Sequence, residues 1–543
     1  MPLKLGEPFG VDQSVLDRFD WDQAVRRILN DTQSDFIFAP HLRFIYRHNA
    51  DGLIKKLKNR LSSGNYVPAS PLTIEVPKSS RIYVRASPPR PGPNYSRPGS
   101  ILLPEDRLFY QFLADNCVDL IEKRTDKSRS FSHRISTAEP DKLFEQTRTC
   151  WSSFQSAMKK YASRRKVKYV LKVDVANFFG SINLHTLVNS LSDLGLSNSL
   201  AERLESVLTS FTNSRSSRGI VQGIFPSDLL GNFYLEPVDR FLADRNIPSA
   251  RYVDDIYVFL ESVGSADSLI KALIPKLRQL DLALNEAKSS LFPKSQLVVE
   301  EPDLEELFQE AIQEVQEQLA DRDFEVSYGF QSDWGAGEDD DNDTENVDIE
   351  LAATTNLFDA IGSFRGHEEE IERFCLPLFM KAGSDYAVDH VITSFEKRPA
   401  MCQIYCSYLG KFCEDKHVHK FLAAQLKNEN LYDWQLMWVI GALLQRRQND
   451  DMIVRDVYQV FKSGRHDAVR AVAAIFVGSN GDQARRNDLA ADCPNAPEYV
   501  QSAIYYVSRR WKGASAGNMH AQWGNRSDLN KLISSGWNSY KGK

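Results

Sequence analysis

Apolar and polar positions along the chain follow two regimes. Over the first 300 residues, short apolar runs of strand type alternate with turn-rich segments and amphipathic stretches. Tyr169–Val173 is one such run, and Arg251-Tyr-Val-Asp-Asp-Ile-Tyr-Val-Phe259 is another. The second reads as two strands of a hairpin joined at its paired carboxylates. A helix is predicted at about 183–194. The segment Gly219–Leu235 reads as a turn-rich entry into an amphipathic helix. Beyond residue 350 the period changes. Ile371–Met380, Ala400–Cys413, Asp433–Leu444, Ile453–Phe461, Ala468–Phe476 and Tyr499–Trp511 each carry an apolar stripe of helical spacing, with breaks marked by Gly and Asn. Successive helix pairs predict an α-solenoid of HEAT-like type, although the letters show no strict repeat.

Carboxylates interrupt the apolar runs at two places. Asp174 closes the run that starts at Tyr169 and is followed by Phe178 and Phe179, while Asp254 and Asp255 occupy the hairpin turn. Strand side chains alternate, so such a turn can aim one Asp into a cleft while its neighbours stay in a core. Acids in a largely apolar, β-rich setting require a reason, and a divalent cation is the usual one. Two plainer readings compete: a solvated surface turn at Asp254-Asp255, and Asp174 as the cap of the helix that follows.

The order of the pieces distinguishes these readings. Asp174-Val-Ala-Asn-Phe-Phe179, then Gln222-Gly223-Ile-Phe-Pro226-Ser227-Asp228, then Tyr252-Val-Asp254-Asp255, then Leu282-Ala-Leu-Asn285-Glu-Ala-Lys288 resemble motifs A to D of the reverse transcriptase palm. Upstream, Gly64-Asn-Tyr66, Ile74-Glu-Val-Pro77-Lys78, Arg97-Pro98, Leu103-Pro-Glu-Asp106-Arg107 and Ser130-Phe-Ser-His-Arg134 resemble the fingers motifs of that family, so the likeness spans about 40–295. The resemblance implies an α+β right-hand fingers and palm followed by an all-α helical-repeat domain. It implies catalytic Asp174, Asp254 and Asp255. Metal would be held by Asp174, the Val175 carbonyl and Asp254, with Asp255 in support, and Phe179, Gln222, Gly223, Arg97 and Lys288 would contact the nucleotide. Mg²⁺ is the implied cofactor, with Mn²⁺ as a substitute, because two-metal nucleotidyl transfer uses hard oxygen ligands. The implied partners are an RNA template or noncoding RNA, dNTPs and a DNA product.

Within that family, Asn177-Phe-Phe179-Gly-Ser-Ile182 and Leu235-Glu-Pro-Val-Asp239 resemble the abortive-infection, defence-associated bacterial enzymes. One departure is that Pro226 stands immediately before Ser227. The expected function is DNA synthesis in antiphage defence. The alternatives are a retron-like or housekeeping enzyme, or a catalytically idle RNA-binding scaffold.

Length and charge refine this division. The 543 residues suggest two or three domains. The expected boundaries are 1–168 for the N-terminal segment and fingers, 169–299 for the palm, 300–350 for an acidic helix and linker, and 351–543 for the helical domain. The net charge of −7 is uneven: 301–350 holds 19 acids and one Arg, whereas 159–172 holds seven Lys or Arg and no acid. Seven scattered cysteines argue against a disulfide framework, and Cys402, Cys406, Cys413, His417 and His419 read as helix-face residues rather than a zinc cluster. A run of 18 apolar residues is missing, so a cytoplasmic protein without membrane contact is expected, with the helical domain available for homo-oligomer formation.

Overall fold

The computed structural model describes residues 6–85, 87, 90–213, 216–297, 304, 307–313, 344–364, 366–447 and 449–541. The chain forms two compact units. One gathers Met1–Ser34, Leu53–Pro71 and Leu102–Asp303; the other gathers Asp35–Gly52, Leu72–Ile101 and Leu304–Lys543.

The first unit is built on an antiparallel sheet of β3 (Tyr169–Val173), β4 (Ser249–Tyr252), β5 (Asp255–Leu260) and β6 (Ser290–Pro293), in the order β4-β5-β3-β6. The central strands β3 and β5 bury apolar side chains on both faces, while β6 is mostly exposed. On one face Val170, Tyr257, Phe259 and Phe292 pack with Phe154 and Met158 of the helix Thr147–Ala162. Burying each such apolar side chain stabilises the fold by about 1.5–3 kcal/mol. The helix Leu184–Asp193 buries Leu184, Leu187, Val188 and Leu191. Its cap is Asn183, whose side chain accepts from Thr186 N–H (3.0 Å), so Asp174 is not spent as a capping residue.

The second unit joins a long hairpin, β1 (Leu72–Val84) and β2 (Arg90–Ile101), to the helices of the C-terminal half. Its units of contact are tertiary, not sequential. Trp434 donates to the Phe36 carbonyl (2.6 Å), Tyr432 to the Asn94 carbonyl (3.1 Å) and Asn49 to the Leu532 carbonyl (2.8 Å). By contacts, the hairpin and 35–52 cluster with residues after 304.

Helices run through the C-terminal half as the apolar stripes predict, from Glu368–Ala382 to Asp528–Lys541. Of the acidic helix expected at 302–319, residues 304 and 307–313 are described; they are helical, and Phe308 is buried against Phe374. Most of the solvated loop expected at 335–345 lies outside the described residues, and a helix Thr344–Asp359 begins at its end. Cys402, Cys406 and Cys413 are buried and free, with the first two in sulfur contact at 3.6 Å along one helix face. Among the described residues, no helix is long and apolar enough to cross a membrane.

Candidate polymerase active site

The register of the sheet brings the carboxylates to one end. Val173 pairs with Ile256 across β3 and β5, so one position further Asp174 stands opposite Asp255. Tyr252 pairs with Asp255 across the hairpin, leaving Val253 and Asp254 as its turn. Alternation places Asp174 and Asp255 on the same face as Lys172 and Tyr257, which themselves meet with the ammonium 5.2 Å from the ring.

Beyond β3 the chain is fastened to the segment before β6. The Asn285 N–H donates to the Asp174 carbonyl (2.8 Å) and the Ala176 N–H to the Ala283 carbonyl (2.9 Å). Val175 bridges Leu284 between these two bonds, so its own carbonyl is turned away from that partner. Ser289 Oγ accepts from Asp174 N–H (3.3 Å), and Lys288 Nζ lies 3.6 Å from Asp174 Oδ2. Lys288 is otherwise exposed.

Asp254 is a costly residue in this arrangement. Its carboxyl affinity for a proton is raised first by burial and then by the charge of Asp174, with Lys288 and Arg251 opposing. The residue before it, Val253, has φ +54°, a left-handed conformation that a β-branched side chain rarely adopts. Such a conformation costs on the order of 1–3 kcal/mol and persists only where the surroundings impose it. Here Val253 N–H donates to Ser132 Oγ (2.7 Å), and its carbonyl accepts from Arg251 Nη1 (2.9 Å).

The brace behind the turn is assembled from residues distant in sequence. Arg251 is 1% exposed and its guanidinium donates to both Asp239 oxygens, to Asn232 Oδ1 (2.8 Å) and to Ser130 Oγ (3.1 Å). Asp239 belonged to a motif resemblance and Ser130 and Ser132 to the Ser-Phe-Ser-His-Arg segment, so the letters were visible. Their convergence required the fold.

Motif-A and motif-B residues also meet. The Ile220 N–H donates to the Phe179 carbonyl (3.0 Å) and Gly219 N–H to the Ile182 carbonyl (2.8 Å), tying the loop that carries Gln222 and Gly223 to the turn that carries Phe179. Gly223 has φ +78°, which its lack of a side chain permits. Phe178 is buried, whereas Phe179 is half-buried with its ring against Gly231, where an added Cβ would come within 2.9 Å of Cε1. Pro226 falls in the first turn of the helix Phe225–Tyr234, where its missing N–H costs nothing. Ser227 is buried and hydrogen-bonded to Tyr110 Oη (3.0 Å). Beside it, burial and Asp31 hold the Asp228 carboxyl well above the usual range.

The fingers residues divide into distinct roles. Arg97 belongs to the second unit, half-buried with its guanidinium over the Phe36 ring at 4.9 Å. Arg107 is spent in a buried ion pair with Asp31 (2.8 Å) and does not face a phosphate site. Arg134 lies over Phe131 at 4.4 Å and donates to the Ser130 carbonyl (3.1 Å).

The donor chemistry of Asp174, Asp254 and the Val175 carbonyl fits a hard divalent cation, since it offers oxygen ligands and brings two carboxylate charges near each other, which Lys288 and Arg251 oppose only in part. Among the described residues no three His, Cys, Asp or Glu side chains are gathered closely enough to hold a metal by themselves.

Residues 89–299 match the family model for reverse transcriptase (RNA-dependent DNA polymerase). That segment is an RNA-directed DNA polymerase domain, and the fold is of the reverse-transcriptase type, mixed α and β with a helical C-terminal region. No curated protein matches the chain. Among solved structures, telomerase from Candida albicans in complex with the TWJ fragment of telomeric RNA is similar at 11% identity and a TM-score of 0.29, over 80% of this chain and 66% of that one. Apo telomerase from Candida tropicalis is similar at 10% identity and a TM-score of 0.27, over 89% and 73%. The chain thus spans about two-thirds of the first of these, and superpositions this loose carry no argument about function.

Proposed function

We propose that the protein copies RNA into DNA from dNTPs at the end of the sheet where Asp174 and Asp254 converge, and that this synthesis serves antiphage defence. The observation that carries the polymerase reading is a largely buried Asp254 at the same sheet end as Asp174, together with the strained Val253 that aims the turn. Neither feature helps a protein that only binds RNA. Asp174, the Val175 carbonyl and Asp254 would hold Mg²⁺, and Asp255 would support them from the paired position. The bound cations would neutralise charge on the attacking and leaving oxygens of an in-line displacement.

The chain's own residues do the rest. Arg251 and Ser132 fix the turn so that Asp254 needs no reorganisation when substrate arrives. Lys288, already beside Asp174 and otherwise solvent-facing, is placed to shift its ammonium toward the triphosphate. Phe179 would lie beneath the sugar, with Gln222 and Gly223 forming the loop alongside. The defence role is supported by the motif texture at Asn177–Ile182 and by the helical C-terminal half.

The deciding experiment is primer extension on an RNA template with the wild type and with Asp254→Ala combined with Asp255→Ala. The double variant is expected to stay folded and lose incorporation altogether; undiminished synthesis in Mg²⁺ would overturn the reading. Phage plating on bacteria that express either protein addresses defence, which requires that only the wild type reduce plaque number.

A further inference from the structure

The palm sheet has two chemically opposite ends. One carries Asp174, Asp254 and Asp255. Because the strands are antiparallel, the other collects the segment before β3, the segment after β5, the residues following β6 and the loop before β4. The segment before β3 reads Lys159-Lys-Tyr-Ala-Ser-Arg-Arg-Lys-Val-Lys168, six bases in ten residues with no acid. All six are exposed, and Lys294 joins them, its Nζ donating to the Ala162 carbonyl (3.1 Å). Arg245 is exposed in the loop before β4. Among the residues described on these connections, which after β6 run to Leu297, Glu261 after β5 and Asp244 before β4 are the acids, so positive charge dominates there; the acidic tract of the sequence begins beyond, at Glu300.

Several details make this more than an ordinary basic surface. Among the described residues, none of Lys160, Arg164, Arg165, Lys166 and Lys168 is drawn into an ion pair. The segment is anchored rather than loose: Lys168 N–H donates to the Leu260 carbonyl (2.9 Å), Val167 is buried, and Tyr161 donates to the Ser128 carbonyl (3.0 Å). Arg164 lies over the Tyr161 ring at 4.9 Å, so an aromatic face sits within the basic cluster. Closely spaced like charges repel one another, and only a polyanion relieves several at once.

We propose that this basic end is a second nucleic-acid contact that holds the RNA strand outside the stretch being copied, an inference that rests on the RNA-copying reading above. The five residues of β3 separate it from Asp174 by about 17 Å, so it cannot touch the reacting nucleotide and must act on a strand that extends past the active centre. Phosphates in single-stranded RNA recur along such a path, and Tyr161 with Arg164 offers a base a stacking surface.

The test uses the full chain carrying Lys160→Ala, Arg164→Ala, Arg165→Ala and Lys166→Ala together. Binding is measured without nucleotides to two primer–RNA template duplexes, one with an overhang of about two nucleotides and one of about twenty, across a salt series. The variant is expected to lose tenfold or more in affinity for the long overhang only, with its log–log salt slope reduced by about 3, since each phosphate released from a single strand contributes about 0.7. Extension on the short template should be unchanged. A Lys160→Arg, Lys166→Arg variant keeps the charge and should bind as the wild type does, which separates charge loss from misfolding. Equal affinities of wild type and quadruple variant for the long overhang would overturn the proposal, as would an equal loss on both duplexes. Absence of DNA synthesis by the wild type would instead refute the polymerase reading, because binding is read without synthesis.

Discussion

Arg251 and Asp239 form a fully buried ion pair, Nη2 to Oδ2 at 2.6 Å, that ties strand β4 to the helix Glu236–Asp244 while another nitrogen of the same guanidinium supports the Val253 carbonyl. One side chain thus holds both the β4–helix packing and the turn that carries Asp254. Removing either partner leaves a buried charge uncompensated, at a cost of about 3–5 kcal/mol. Arg251→Met and Asp239→Leu are each expected to lower Tm substantially, and the two together should recover much of the loss. The recovered protein should still be a poor polymerase, because the Val253 carbonyl has lost its Arg251 donor and Ser132 alone holds the turn. A double variant with restored stability and full incorporation would separate the brace from catalysis and refute its role.

The pH dependence of stability at Asp254 follows from its burial and from Asp174. Its folded affinity for protons is raised above the ordinary 3.8, so its contribution to stability is fully present below 3.8 and is lost as pH rises through the higher folded value. Asp254→Asn should therefore raise Tm at neutral pH, with the gain vanishing in acid below about 3.8. Thermal melts of both proteins between pH 3 and 8 check this; a constant difference across the range would show that charge repulsion is not its origin.

Sugar selection is expected to depend on Phe179 and on the glycine against which its ring lies. A 2′-hydroxyl meeting that ring costs about 1–3 kcal/mol in overpacking, and a similar amount again if left without a partner. Phe179→Ala should admit ribonucleotides while retaining DNA synthesis, whereas Phe178→Ala, at a buried position, should mainly destabilise the unit. Gly231→Ala would place a methyl 2.9 Å from the Phe179 ring and displace it, so this variant too should alter the dNTP to rNTP ratio. Steady-state incorporation of each nucleotide by the three variants decides between a steric gate and a core residue.

The helical half carries its own buried charge. Glu372 is fully buried and accepts from Tyr405 Oη (2.6 Å), faces His390 Nε2 (2.6 Å) and pairs with Arg398. Glu372→Ala would strand these partners and should cost about 3–5 kcal/mol. Its effect is expected in the second unit, read as a loss of helical signal at lower temperature. Unchanged melting would mean that water replaces the carboxylate without penalty.

The sequence by itself determined the elements and the chemistry they carry. Tyr169–Val173 and Arg251–Phe259 were legible as strands because β-branched and aromatic residues in short apolar runs fit a pleated, buried surface, and the helical stripes after residue 350 because their period is local. Asp174, Asp254 and Asp255 stood out because acids rarely interrupt such runs. What only the tertiary structure decided is what depends on long-range register and burial. Exposed and spent arginines look alike as letters, so Arg107, committed to Asp31, could not be told from a phosphate contact. Arg251 became a brace only when helix, strand and the Ser130–Ser132 segment met around it. The hairpin Leu72–Ile101 joined the C-terminal helices because hydrogen bonds such as Tyr432 to Asn94 span 338 residues, a distance that no local period encodes.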